Sequence, residues 1–394
     1  MKWETVKLGD CCVKIGSGAT PKGGATVYIE TGTALIRSQN VYNLAFDYQG
    51  LTYITEDAAK KLNGVNVHEK DVLLNITGDS VARVCMVPNN VLPARVNQHV
   101  AILRTNENLL SEYLLYYLAS PHMQAYMLNL AVGKGASRNA LTKGMIEDFP
   151  LLLPSIEEQE RIVKYLSAYD DLIENNKKQI KLLEEAAQRL YKEWFVDLRF
   201  PGYKNTPIID GVPHGWKRER LVDIADVQYG FAFDGSLFNS DGNGMPIIRI
   251  RNIPDGITKD YTTEEADEQY IVKNGDIVVG MDGEFHINSW SGTDSYLVQR
   301  TCRIKPHNSG MNGYLLQAIY EPIKFFESTV VGATVAHLGK KHIDTITIFT
   351  APEEMYKPFQ QYFNKRQLLS NQNQRLAEAR DRLLPKLMSG ELEV

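Results

Sequence analysis

The stretch from Ser155 to Phe200, SIEEQERIVKYLSAYDDLIENNKKQIKLLEEAAQRLYKEWFVDLRF, constrains this chain more than any other. It predicts a single helix of about 40 residues, roughly 60 Å long at about 1.5 Å per residue. Ile162, Leu166, Tyr169, Ile173, Ile180, Leu183, Ala187, Leu190 and Trp194 follow an alternating four–three spacing, interrupted only by Asn176. This is the narrow seam of a coiled coil rather than the wider stripe of a helix lying on a globular core. Such a helix cannot bury its seam against itself, so the chain must supply a partner.

A partner is present near the C-terminus. From Pro352 the sequence reads PEEMYKPFQQYFNKRQLLSNQNQRLAEARDRLLPKLMSGELEV, with Phe359, Tyr362, Arg366, Leu369, Asn373, Leu376, Arg380, Leu383 and Leu387 in a second four–three series. Pro385 disfavours helical backbone in the residue before it, so the regular helix is expected to weaken at Leu384. Both helices are expected to open with a capping box, Ser155-x-x-Glu158 and Thr350-x-x-Glu353. Each seam holds a lone asparagine, Asn176 and Asn373. A seam asparagine specifies register at some cost in stability; the alternative is that both face solvent on a poorly aligned seam.

The segments between the helices repeat as well. ALIRSQNV (34–41) is echoed by PIIRIRNI (246–253), EKDVLLNITG (69–78) by NGDIVVGMDG (274–283), and VNQHVAIL by LVQRTCRI. EYLLYYLASP, GASRNALTKGMI and the opening Trp3, Leu8 and Asp10 recur in the same order, offset by about 200 residues, which marks an internal duplication. The expected fold is α+β, mixed α/β: two similar globular modules, 1–153 and 201–351, joined by a long helix at 154–200 and a second long helix with a C-terminal tail at 352–394, the helices packed as an antiparallel coiled coil. Such a chain has an approximate two-fold axis and two similar faces, suited to two copies of a partner or to a substrate with two sites.

Composition narrows the class. The chain has 394 residues and a net charge of −5, which disfavours a protein that coats nucleic acid but not one that binds it through local basic loops. No apolar run approaches the roughly 18 residues needed to span a membrane. The N-terminus MKWETVKLGD has no apolar signal region, so a cytoplasmic protein is expected. Cys11, Cys12, Cys85 and Cys302 form no metal-ligand pattern and are expected to be buried, reduced thiols; no metal site is expected.

A search for catalytic motifs finds no phosphate loop, no methyltransferase NPPY-type motif, no HExxH, no GxSxG and no ATPase box. GSGATPKGG is read as a flexible or substrate-touching loop. No catalytic residue is assigned. Polar and basic side chains in matched turn positions stand out instead. Ser38, Gln39 and Asn40 beside Arg37 match Arg251 and Asn252 beside Arg249, and Arg, Asn and Gln are the residues that pair with purine edges. For Arg37 and Arg249 a structural role is the preferred reading, each pairing with a carboxylate inside its own module. Arg95, Asn97, Gln98 and His99, like Gln299 and Arg300, precede a strand and are candidates to reach a groove. Lys134, Arg138 and Lys143 lie in a loop without acidic residues, as do His337, Lys340 and Lys341, and are candidates for phosphate contacts. The alternative for both loops is a solvated basic turn.

LPSIEEQERIVKYL, the helix end WFVDLRFPGY, GWKRERLVDIA and the C-terminal LLPKLMSGEL, in this order of modules and helices, resemble the specificity subunits of type I restriction–modification systems over the whole chain. The resemblance implies two target recognition domains, each reading one half of a bipartite double-stranded DNA site, with the coiled coil setting the spacer. It also implies docking of two modification subunits, which carry S-adenosylmethionine and methylate adenine, and of restriction subunits that use ATP and Mg²⁺. The chain itself would hold no cofactor and catalyse nothing. Rival readings are a scaffold or adaptor with duplicated protein-binding modules, the specificity subunit of a related system that fuses cutting and methylation, or an enzyme with an unrecognised site such as a nuclease.

Overall fold

The computed structural model describes residues 3–132, 139–329 and 336–394. The chain divides into two units, Met1–Asp171 with Ala377–Val394, and Leu172–Leu376. Each long helix contributes one end to each unit.

In the first unit, Val84–Met86, Val72–Asn75, Val100–Thr105 and Cys12–Ser17 form an antiparallel four-stranded sheet. A five-stranded sheet runs in the order Tyr28–Ile29, Thr52–Ile54, Thr33–Ile36, Ala94–Val96, Asn66–Val67, with one parallel pairing between Ala94–Val96 and Thr33–Ile36. Glu4–Lys7 pairs with Pro150–Leu153. The strands are short because each is stopped by turn residues, and their side chains enter a core that includes Leu73, Leu74, Val100 and Ile102. Helices Ser111–Ala119 and Pro121–Ala131 break at Ser120, whose extended backbone is what a following proline favours.

The second unit repeats this layout strand for strand. Ile287–Ser289, Ile277–Gly280, Thr301–Pro306 and Ala225–Tyr229 form the four-stranded sheet, and Phe238–Asn239, Tyr261–Thr262, Met245–Ile248, Ser295–Leu297 and Ile271–Val272 the five-stranded one. The parallel pairing recurs between Met245–Ile248 and Ser295–Leu297. Lys217–Arg220 pairs with Thr347–Thr350. The duplication seen in the sequence is therefore a duplication of topology. Gly18 and Gly230 show why two glycines recur: an added Cβ would sit 1.6 Å from the Val96 carbonyl oxygen and 2.0 Å from that of Val298. The GSGATPKGG loop thus starts packed against a strand end.

The first long helix runs Ile156–Tyr191 and passes into a π turn, Lys192–Val196, so regular helix stops short of Phe200. Its capping box is present: Glu158 N donates to Ser155 Oγ and Ser155 N to Glu158 Oε2, both at 3.3 Å. The second helix, Lys357–Met388, differs from expectation at both ends. Thr350 ends a strand and its hydroxyl bonds Glu219, so no capping box forms there. The helix also continues through Pro385. Leu384, Leu387 and Met388 are buried in the core around Leu114, and packing of that last turn outweighs the local preference of proline.

Within each unit the two helices run antiparallel. In the second, Asn176 Nδ2 donates to Asn373 Oδ1 at 2.9 Å, Arg366 Nε to Glu184 Oε1 at 2.6 Å, and Trp194 meets Phe359 edge-on. In the first, Arg380 Nη1 donates to Asp170 Oδ1 at 2.5 Å, and the same carboxylate accepts from Tyr116 Oη. The seam arginines are thus ion-paired across the coil, acids on the first helix and arginines on the second. Ile162, Leu166, Asn176 and Ala187 are buried, while Ile173, Ile180 and Leu183 are half-buried.

Candidate nucleic-acid interface

The IRxxN frame of each unit is a structural device. Asn40 is fully buried; its Oδ1 accepts from Arg37 N at 3.0 Å and its Nδ2 donates to the Asp47 carbonyl at 2.9 Å. Asn252 Oδ1 likewise accepts from Arg249 N, and its Nδ2 donates to Asp260. Burial withholds the Asn40 amide from a base edge, which corrects the expectation for it, while Asn252 is half-buried and spends its amide on the same kind of turn. Arg37 donates to the Gly50 carbonyl, so its partner is a backbone oxygen of its own module rather than the carboxylate expected. Arg251 pairs with Asp260 at 2.5 Å while staying exposed. Burial works to raise the Asp260 pKa, but hydrogen bonds from Arg251 and Asn252 outweigh it and hold the carboxyl below the usual range.

Two further expectations are corrected. Arg95 spends its guanidinium on the Ala59 and Ala94 carbonyls and on Asn63 Oδ1. Asn97 is buried and accepts from His99 N, closing the turn. Side-chain type beside a strand suggests base reading for both, but the strand end uses them to satisfy its own backbone groups.

What remains accessible converges. In the first unit a cleft of about 550 Å³ has Ser38, Gln39, Thr77, Arg83, His99 and Asn139 in its lining. Thr77 Oγ1 and His99 Nδ1 lie 2.6 Å apart. Gln98 reaches His99 Nε2 at 3.0 Å and accepts from Thr20 Oγ1. Arg83 sits 4.5 Å over the Tyr42 ring. Gly78, at φ +72°, turns the chain out of the strand Val72–Asn75.

The second unit places Asp282, Arg300 and His337 in the corresponding frame. Arg300 Nη1 donates to Asp282 Oδ2 at 2.7 Å, and His337 Nδ1 lies 2.5 Å from Asp282 Oδ1. Gln299 is exposed, as is Lys341, and for Lys340 and Lys341 no ion pair occurs among the described residues. Lys143 is exposed and pairs with Glu147. Lys134 and Arg138 lie outside the described residues. Sequence reasoning does not single out Thr77, Arg83 or Asp282; the available signal is the aligned pair NITG and GMDG, where Thr77 and Asp282 differ inside a repeated block.

Among the described residues no helix is long and apolar enough to cross a membrane, and no group of three or more His, Cys, Asp or Glu is placed to hold a metal. Burial pushes the Cys85 and Cys302 thiols up to about 12, so neither is a ready nucleophile.

The family model for the type I restriction modification DNA specificity domain matches residues 1–185 and 213–378. The chain belongs to this family. The paired matches coincide with the duplicated topology. A specificity subunit of Methanocaldococcus jannaschii, the type I restriction enzyme MjaIX specificity subunit, is 27% identical, with 100% of this chain and 94% of that protein covered. The HindI specificity subunit of Haemophilus influenzae is 22% identical over 99% of both. The crystal structure of a type I restriction–modification S subunit from M. genitalium superposes with a TM-score of 0.55 at 13% identity, covering 98% of this chain and 96% of that one, and supports the fold. With two copies of the DNA specificity domain and end-to-end matches to such subunits, the chain is a type I DNA-specificity subunit.

Proposed function

We propose that this specificity subunit directs its complex to a bipartite double-stranded DNA site, each unit's globular part reading one half. One observation carries the reading: the two units share strand order and turn geometry, yet their exposed polar clusters differ in chemistry, Thr77 with His99 against Asp282 with Arg300 and His337. Two heads of one shape and two chemistries suit two different half-sites joined by a spacer.

The long helices set that spacer. Their seam pairs Asn176 with Asn373 and flanks the pair with Arg380–Asp170 and Arg366–Glu184, which favours one register over its neighbours. Their outward faces, where Tyr165, Leu172, Leu182 and Leu368 are exposed, receive two modification subunits. Those subunits supply S-adenosylmethionine and methylate adenine; restriction subunits that use ATP and Mg²⁺ join the same assembly.

Exchanging residues 1–150 for the equivalent part of another family member tests the division of labour. Methylation-aware sequencing of a host carrying the chimaera should show one half-site changed and the other half-site and spacer retained. A change in both half-sites would refute independent reading heads.

A further inference from the structure

We propose that Arg300, braced by Asp282, reads a guanine edge in the half-site of the second unit. The inference rests on the DNA-reading role above and assigns one base contact within it.

The two units share a backbone frame at this corner. In the first, Ile76 N donates to the His99 carbonyl, Leu141 N to the Ile76 carbonyl and Gly78 N to the Asn139 carbonyl. In the second, Met281 N donates to the Arg300 carbonyl, Leu338 N to the Met281 carbonyl and Gly283 N to the Ala336 carbonyl. Isolated bridges pair Thr77 with Ala140 and Asp282 with His337. Gly78 and Gly283 have φ of +72° and +70°. The same frame therefore presents Thr77, His99 and Ala140 in one unit and Asp282, Arg300 and His337 in the other. Residues that hold the frame are alike in both: Leu141 and Leu338, Ile146 and Ile343, all buried.

Within that frame Arg300 is singular. Its φ is +68°, a left-handed conformation that a long side chain rarely adopts, and His99 at the matching place has no such backbone. That backbone closes a turn in which Thr301 N donates to the Val298 carbonyl. The turn carries the Arg300 side chain out from the fold, 57% accessible, where its ion pair adds little stability.

The chemistry fits that use. Asp282 engages only Nη1 of the guanidinium, and among the described residues Nε and Nη2 make no hydrogen bond. The carboxylate fixes the plane of the fork while leaving donors for the O6 and N7 acceptors of guanine, the commonest specific contact to a base in the major groove. His337 on the other Asp282 oxygen keeps the carboxylate from swinging away. Lys340 and Lys341, in the helix Lys340–Ile343 that follows, are suited to the adjacent phosphates.

The test uses the full chain assembled with its modification subunits and a randomised duplex DNA library. Sequences retained by the wild-type chain and by R300K, R300A and D282N are compared. R300K keeps the charge and loses the fork, so it separates base reading from phosphate binding even if R300A folds poorly. The expected result is a loss of about ten-fold or more in preference for one guanine in one half-site with R300K. D282N should give a smaller loss at the same base pair, and the other half-site should stay unchanged. Unaltered base preferences in R300K, or an equal loss across all sequences, would overturn the assignment. A wild-type complex that selects no sequence at all would overturn the DNA-reading role itself, and this inference with it.

Discussion

Replacing Asn373 by leucine, alone and together with Asn176, gives a direct reading of the seam. Asn176 is 5% exposed, and its Nδ2 donates to Asn373 Oδ1 at 2.9 Å. N373L leaves the Asn176 amide buried without that partner, at a cost of about 1–3 kcal/mol. Position 373 is half-buried, so the new leucine returns at most about 1 kcal/mol of apolar burial. The single variant should therefore be less stable by up to about 3 kcal/mol. N176L/N373L removes both polar groups and puts two leucines across the seam, which should be neutral or stabilising. A double-mutant cycle by guanidinium denaturation, followed through helical circular dichroism, should give a coupling of about 1–3 kcal/mol. Sites methylated by the double variant should also show more than one spacer length, because apolar seams slip between registers more easily. Neutral single variants with an additive double variant and a single spacer length would refute both the Asn176–Asn373 hydrogen bond and its role.

Other substitutions probe the heads and their charges. G230A forces a Cβ to within 2.0 Å of the Val298 carbonyl oxygen and should cost about 1–3 kcal/mol or more, with amide-exchange protection falling in the second unit and kept in the first. K340A/K341A should weaken binding to all duplexes alike and reduce the slope of log K against log salt by about 2, one unit for each phosphate no longer neutralised; weakening confined to the cognate site would mean that these lysines read bases. Asp260 has a depressed folded pKa, so its stabilisation is present above the ordinary carboxylate pKa of about 3.9 and is lost as pH falls through the lower folded value. D260N should remove that acid-side loss and lower the stability of the second unit at neutral pH by about 1–2 kcal/mol, measured by denaturation across pH.

Much of this protein is legible in its residues because the information is periodic or repeated. A four–three apolar series has one economical solution, a partner helix, and the second such series names it. The recurrence of IRxxN, of the Gly-bounded strands and of the YLL helices implies two like modules, and the strand orders agree. Polar recognition residues resist the same treatment. Asn40, Arg95 and Asn97 have the side chains of base readers, but a buried backbone group must find a partner, and the tertiary fold spends these amides and this guanidinium on supplying one.

The long paired helices and the duplicated modules were thus determined by sequence alone, since spacing and self-similarity survive without coordinates. The second helix passing through Pro385, the Asn176–Asn373 hydrogen bond, and the meeting of Thr77 with His99 and of Asp282 with Arg300 were decided only in the tertiary structure. The physical reason is one of range. A heptad or a turn is a local pattern, whereas Asp282 and Arg300 come together only because separate loops end at the same corner of one sheet.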